Sequence, residues 1–276
     1  MRRSLIGRTW PNAIAAVLFV FFLFPVYWMV ATSFKRDKDI VSRDPVFLPL
    51  DGTWAHFDRA VHVPHFWTYV TNSLVVTAGA VLGSLVIATL AAFAVARMRF
   101  RGRRGFVLVV MAAQMAPWEV MIIAAYLIVR DNDLLNSLVP LTAFYLMMVL
   151  PFTIWTLRGF IAAVPKELEE SAMVDGCTRT QAFAKVIFPL LAPGLMSTSL
   201  FGFITAWNEF PLVNILSKKE SAQTLPLWLS SFQTNAGTDW GATMAASTLF
   251  ALPILILFVF LQRKAVGGLT DGAVKG

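Results

Sequence analysis

The chain has 276 residues, of which 57% are hydrophobic and only 14% charged, and its mean hydropathy is +0.67. A soluble domain carries about 25% charged residues, so the composition excludes an ordinary soluble fold and assigns the chain to the membrane class. The net charge of +7 does not point to nucleic acid, because the arginines flank apolar stretches, where charge sets topology.

In chain order, a basic start (Arg2, Arg3, Arg8) precedes a long apolar run with no small-residue cleavage site after it, which reads as an uncleaved first span. A hydrocarbon core needs about 20 helical residues. Six stretches are long enough, near 12–34, 68–95, 106–129, 138–161, 190–216 and 241–262. The expected fold is therefore all-α, with six transmembrane helices in a single transmembrane domain over residues 1–276. Pro193 is expected to delay the start of the fifth span, and Asn72 and Ser73 at the mouth of the second read as cap-like. Trp54, Trp67, Trp118, Trp228 and Trp240 fall where interfacial indoles are favoured.

Placing the amino terminus in the cytoplasm puts fifteen lysines and arginines inside and eight outside. Lys35-Arg36-Asp37-Lys38 opposes this locally, but the five arginines of the short loop at 96–105 outweigh it. Both termini and the segment 162–193 are thus expected in the cytoplasm.

That segment is the longest polar interruption of the second half. Pro165 is expected at the first helical position, with Glu167, Glu169 and Glu170 near the positive end of the helix dipole. Val164, Leu168 and Ala172 at four-residue spacing predict one apolar face, and Gly176 a stop. Thr178 with Gln181 predicts a capping box opening a second short helix, which carries Phe183, Val186 and Ile187 and ends at Pro189.

Several chemistries lack their residues. No GxxxxGK[ST] loop is present, so ATP would have to be bound and hydrolysed by another chain. No HExxH pattern or GxSxG elbow occurs, and His56, His62 and His65 share one outer polar segment, where solvation is the ordinary state. The single cysteine, Cys177, can form no intramolecular disulfide. No catalytic residue and no metal site are expected. Ionisable groups within spans are costly unless they face a cavity or partner. Glu119, after Pro117 and Trp118, and Trp207, Asn208 and Glu209 in the fifth span are the candidates for lining a pathway for a hydroxylated solute. An interhelical hydrogen bond, or an acid wetted at the outer surface, is the alternative.

Glu170-Ser171-Ala172, three residues, Gly176, nine residues and Val186-Ile187-Phe188-Pro189 resemble the EAA loop of the membrane subunits of bacterial ATP-binding-cassette importers. The family pattern is EAA, three residues, G, nine residues, I-x-L-P, and Asp175 before the glycine is usual in the sugar-importing branch. Ser171, Val186 and Phe188 depart from it while keeping a small residue and two apolar ones. Asn72-Ser73, the run from Ala94 to Gly102, Trp207-Asn208-Glu209-Phe210 and the terminus from Gly268 to Gly276 are similar to the maltose-type carbohydrate permeases, especially the shorter partner of the pair.

The resemblance implies an ABC-importer permease fold in a bacterial plasma membrane and no enzymatic activity in this chain. It implies a second permease as heterodimer partner, two copies of a cytoplasmic ATP-binding subunit carrying ATP and Mg, and an extracytoplasmic solute-binding protein. It makes Glu170, Ser171, Ala172, Asp175, Gly176 and Pro189 the ATPase-coupling loop, and the cargo a di- or oligosaccharide, more narrowly an aminosugar or glucosidic disaccharide. An importer of amino acids, peptides or phosphate, and an ion-coupled secondary transporter using Glu119 and Glu209, are the rival readings.

Overall fold

The computed structural model describes residues 5–234 and 237–273, with side chains from 10 to 234 and from 237 to 262. Arg2, Arg3 and Lys275 of the charge count lie outside the described residues, as do the side chains of Arg8, Arg263, Lys264 and the stretch from Gly268 to Gly276. The chain forms two compact units, residues 1–66 with 228–252 and residues 67–227 with 253–276.

In the first unit, α1 (Leu5–Phe34) leads into α2 (Asp37–Ile40) and α3 (Ala55–Val61). His56, expected to be solvated, is instead 1% exposed. Its Nε2 donates to the Lys35 carbonyl at 2.6 Å, so Nδ1 is the acceptor and takes a bond from Arg59. The Arg59 guanidinium also pairs with Asp37 (3.1 Å) and Asp239 (3.2 Å), which places its own positive charge among Asp37, His56 and Asp239. Trp228, assigned from sequence to the interface, is instead core: it is 2% exposed and its indole donates to Ala60 O. Trp54, Trp67 and Trp240 are exposed.

In the second unit, α4 (Phe66–Arg97) presents Val76, Ala80, Ser84, Ala88 and Ala92 at four-residue spacing, all buried. Small residues let neighbouring helices approach closely. Asn72 and Ser73 lie inside this helix rather than at its mouth, so they do not cap it. Asn72 Nδ2 donates to Ser221 O and Gln223 O, and Ser73 Oγ accepts from the Leu225 amide, tying α4 to the loop at 221–225. Next come α5 (Arg103–Met115), a 3₁₀ turn (Trp118–Met121), α6 (Ile122–Asp131) and α7 (Leu138–Ala163).

The cytoplasm-assigned segment holds α8 (Lys166–Val174), α9 (Arg179–Ala182), a π turn (Phe183–Ile187) and α10 (Phe188–Leu190). Then follow α11 (Ala192–Trp207), α12 (Pro211–Leu216), a 3₁₀ turn (Glu220–Ala222) and α13 (Leu225–Ser230). A two-stranded antiparallel ribbon, β1 (Gln233–Thr234) and β2 (Gly237–Thr238), pairs Gln233 with Thr238 and Thr234 with Gly237. It precedes α14 (Trp240–Ala273). Within the second unit α7 packs on α11, where a Cβ at Gly202 would lie 2.8 Å from Val149; only glycine permits that approach.

Among the described residues, four helices are long and apolar enough to cross a membrane: Trp10–Phe34, Phe66–Arg97, Leu138–Ala163 and Trp240–Gln262. The expected third and fifth spans are bent pairs, so the count is four, or six if each pair is one span. The third breaks by 91° between Arg103–Met115 and Trp118–Asp131. Ala116 is extended (φ −69°, ψ 127°), because the ring of Pro117 disfavours helical backbone in the preceding residue. The fifth bends by 68° between Arg179–Leu190 and Ala192–Trp207, and its helix ends at Trp207 instead of running on to residue 216.

Candidate functional site

The segment at 162–193 departs from expectation at its first helix. Pro165 is extended (ψ 136°) at the N-cap of α8, not at its first helical position. At the other end Gly176 has φ +90°, a backbone that side-chain-bearing residues rarely adopt. Its amide bonds to Met173 O (3.1 Å) and the Cys177 amide to Ala172 O (3.0 Å), a Schellman closure of the helix. The expected capping box is present: the Gln181 amide donates to Thr178 Oγ1 and the Thr178 amide to Gln181 Oε1. The helix does not end at Pro189. It runs on through the π turn to Leu190, the widened turn making room where a proline ring and its missing N–H interrupt the regular ladder.

Val164, Leu168 and Ala172 do not form one face. Ala172 is buried with Glu169, while Leu168, Met173 and Val174 are exposed, Val174 at 86%. Glu170, Ser171, Asp175, Gly176 and Pro189 are also exposed. The outer surface of α8 is thus mixed apolar and acidic, uncovered among the described residues.

Glu169 is the residue that sequence reasoning passed over. Its carboxylate lies 3.4 Å from Arg97 Nε and 3.5 Å from Arg179 Nε, and the side chains of Glu169 and Arg97 are 6% and 4% exposed. Arg97 Nη2 also donates to Val164 O at 2.6 Å. One buried carboxylate therefore ties the last residue of α4 to α8 and α9. Arg97 is one of five arginines in its loop, and no spacing rule separates the buried one from the rest.

The pathway candidates are not brought together. Glu209 is 5% exposed in the break between α11 and α12. It accepts from the amides of Leu212 (2.8 Å) and Val213 (3.4 Å) and from Tyr145 OH (2.6 Å), so it caps α12 and ties it to α7. Trp207 is 1% exposed and stacks on Phe203. Asn208 is exposed and donates to Ile204 O. Glu119 is exposed in the 3₁₀ turn, with no hydrogen bond or ion pair to Asn208 or Glu209 among the described residues.

A cleft of about 580 Å³ opens instead between α5, α6, α7 and α11, with Gln114, Trp118, Phe144, Phe152, Phe201 and Thr205 among its walls. None of the four sequence candidates lines it; Trp118, the neighbour of Glu119, does. Trp118 Nε1 is buried without a hydrogen-bond partner. The cleft combines aromatic faces with a few polar groups, the usual make-up of a small-molecule site.

Over its full length the chain is 70% identical to the diacetylchitobiose uptake system permease protein DasC of Streptomyces coelicolor, across that protein's full length as well. It is 33% identical to the trehalose/maltose transport system permease protein MalG of Thermococcus litoralis, over all of both chains. Its fold matches a chain of a bacterial ABC transporter involved in the import of the acidic polysaccharide alginate, with a TM-score of 0.80, 23% identity, and coverage of 95% of this chain and 99% of that one. Residues 84–266 match the family of binding-protein-dependent transport system inner membrane components, and the chain belongs to that family.

Proposed function

We propose that this chain is the membrane-spanning permease subunit of an ATP-driven importer of di- or oligosaccharides, with an N-acetylated aminosugar disaccharide as cargo. The observation that carries this reading is the full-length 70% identity to a diacetylchitobiose uptake permease. Each bent pair counts as one span, giving six with both termini cytoplasmic, an arrangement supported by the charge bias of the loops. The solute passes along a pathway shared with a second permease. The aromatic cleft contributes to it, Trp118 Nε1 and Gln114 serving sugar hydroxyls and Phe152 and Phe201 the ring faces. Asn208 and Glu119 are the exposed polar candidates outside the cleft.

The chain supplies no ATPase chemistry. ATP and Mg belong to two copies of a cytoplasmic subunit, each permease of the pair docking on one of them. On this chain the docking surface is the exposed side of α8, with Leu168, Met173 and Val174 entering an apolar groove and Glu170 meeting a cation. Ser171, Asp175, Gly176 and Pro189 shape the loop around it. Closure of the ATPase pair on ATP draws α8 inward, and the Glu169 bridges carry that motion to α4 and α9. A loaded extracytoplasmic binding protein stabilises the opposite state, since alternating access requires ligands that prefer different states. The test is reconstitution with both partner subunits and the binding protein in vesicles. ATP-dependent uptake of labelled diacetylchitobiose supports the assignment. Uptake driven by an ion gradient without ATP, or indifference to the sugar, overturns it.

A further inference from the structure

A second cavity, about 490 Å³, lies wholly in the first unit at the end of α1, walled by Trp28, Thr32, Lys35, Asp39, Arg43 and Trp240 among others. Trp28, Thr32 and Lys35 follow one another at helical spacing on the last two turns of α1 and its exit. Two of these side chains are buried and polar. Thr32 is 5% exposed and its Oγ1 has no hydrogen-bond partner. Lys35 is 3% exposed, and its ammonium sits 3.5 Å from the Trp28 ring centroid, with no hydrogen bond or ion pair among the described residues. A buried hydroxyl and a nearly buried ammonium on the wall of one cavity favour an occupant that can accept hydrogen bonds.

The position limits what that can be. Trp28 lies in the apolar span Trp10–Phe34, and Trp240 begins the span Trp240–Gln262, so the cavity straddles a membrane–water boundary where indoles form a belt. The upstream face of α1, with Phe21 and Phe24, is exposed and apolar. Lys35 and Arg43 outnumber the single acid, Asp39. Desolvation lowers the Lys35 pKa, opposed by the Asp39 charge, as expected of an ammonium that lacks a close anion.

We infer that this cavity binds the phosphoryl group of an anionic phospholipid, with Lys35 Nζ and Thr32 Oγ1 donating to its oxygens and the acyl chains lying along the apolar face of α1. The phosphodiester is the recognised chemistry, and free inorganic phosphate is the competing source. The inference rests only on the membrane location and not on the cargo or the ATPase contact.

The assembled transporter, delipidated in neutral detergent, is titrated with phosphatidylglycerol, with phosphatidylcholine and with inorganic phosphate, and bound lipid is counted by native mass spectrometry. Wild type retains one more phosphatidylglycerol than Lys35→Gln, and that variant weakens the remaining affinity by about tenfold, the effect of one charge-assisted hydrogen bond. Thr32→Val, nearly isosteric and spared any charge change, weakens it by a smaller factor and decides the matter if Lys35→Gln fails to assemble. Equal phosphatidylglycerol binding by wild type and Thr32→Val overturns the inference. So does equal retention of phosphatidylcholine, or displacement of the bound lipid by millimolar inorganic phosphate.

Discussion

Arg97 closes α4 and Glu169 lies in the middle of α8, and the two face each other at 3.4 Å with side chains almost wholly buried. They are 72 positions apart in sequence, yet this contact joins the longest helix of the second unit to the short helix proposed to touch the ATPase. Removing one partner of a buried ion pair typically costs about 3–5 kcal/mol, because the other charge is stranded, whereas an apolar replacement of both is often nearly neutral. Glu169→Ala should therefore lower the melting temperature of the purified complex and its uptake together. Arg97→Leu combined with Glu169→Leu should recover the melting temperature but not the coupling of ATP hydrolysis to uptake. Full coupling in the double variant would show that the pair is only structural.

Gly176 separates conformation from docking. A Cβ there would meet nothing within 4 Å, so alanine costs only the left-handed backbone, about 1–2 kcal/mol. Gly176→Ala should leave measurable transport. Gly176→Asp adds a negative charge at the proposed contact and should abolish uptake while the protein stays at normal level in the membrane. Immunoblots of membranes beside uptake assays read both.

The exposed apolar residues of α8 have no cover among the described residues. Leu168→Glu and Val174→Glu should leave stability within about 0.5 kcal/mol, as for other surface changes, yet lose the ATPase subunit on affinity purification. Retention of a stoichiometric ATPase by both variants would place the docking surface elsewhere.

Glu209 and Asn208 are adjacent in sequence but divide into different roles. Glu209→Ala removes three acceptor contacts, leaving the Leu212 amide buried without its acceptor and the Tyr145 hydroxyl with only the carbonyl of residue 209 at 3.3 Å, and hydrogen bonds to charged groups are worth about 1.5–3 kcal/mol each. It should melt early in detergent, and Tyr145→Phe less so. Asn208→Ala, which loses only a bond to Ile204 O, should melt like wild type. A raised half-saturating sugar concentration in that variant would assign Asn208 to the pathway.

Trp118→Phe keeps an aromatic wall in the 580 Å³ cleft and removes its unpartnered donor. Uptake at saturating sugar should stay near normal while half-saturation rises several-fold, the effect of a net hydrogen bond of about 1 kcal/mol. An unchanged half-saturation would exclude the indole N–H from sugar contact.

Local rules reached far along this chain. Apolar length located the four continuous spans, since a helix needs only enough apolar residues in a row. Thr178 and Gln181, three positions apart, specified their capping box, and Gly176 its left-handed stop, because those bonds close within one turn. The break at Pro117 was not legible in this way: the third span was expected to run unbroken from 106 to 129, and it bends by 91° there. Tertiary structure decided which polar groups are spent inside. Nothing near Glu169 in sequence distinguishes it from Glu170, yet the end of α4 arrives beneath one of them and leaves the other exposed. Glu209 resembled a pathway acid until α7 brought Tyr145 against it, and Lys35 resembled a topogenic charge until it lay buried over Trp28. Periodicity and caps are properties of neighbouring residues. Burial of a charge depends on which distant helix packs above it, and that is decided only when the chain is folded.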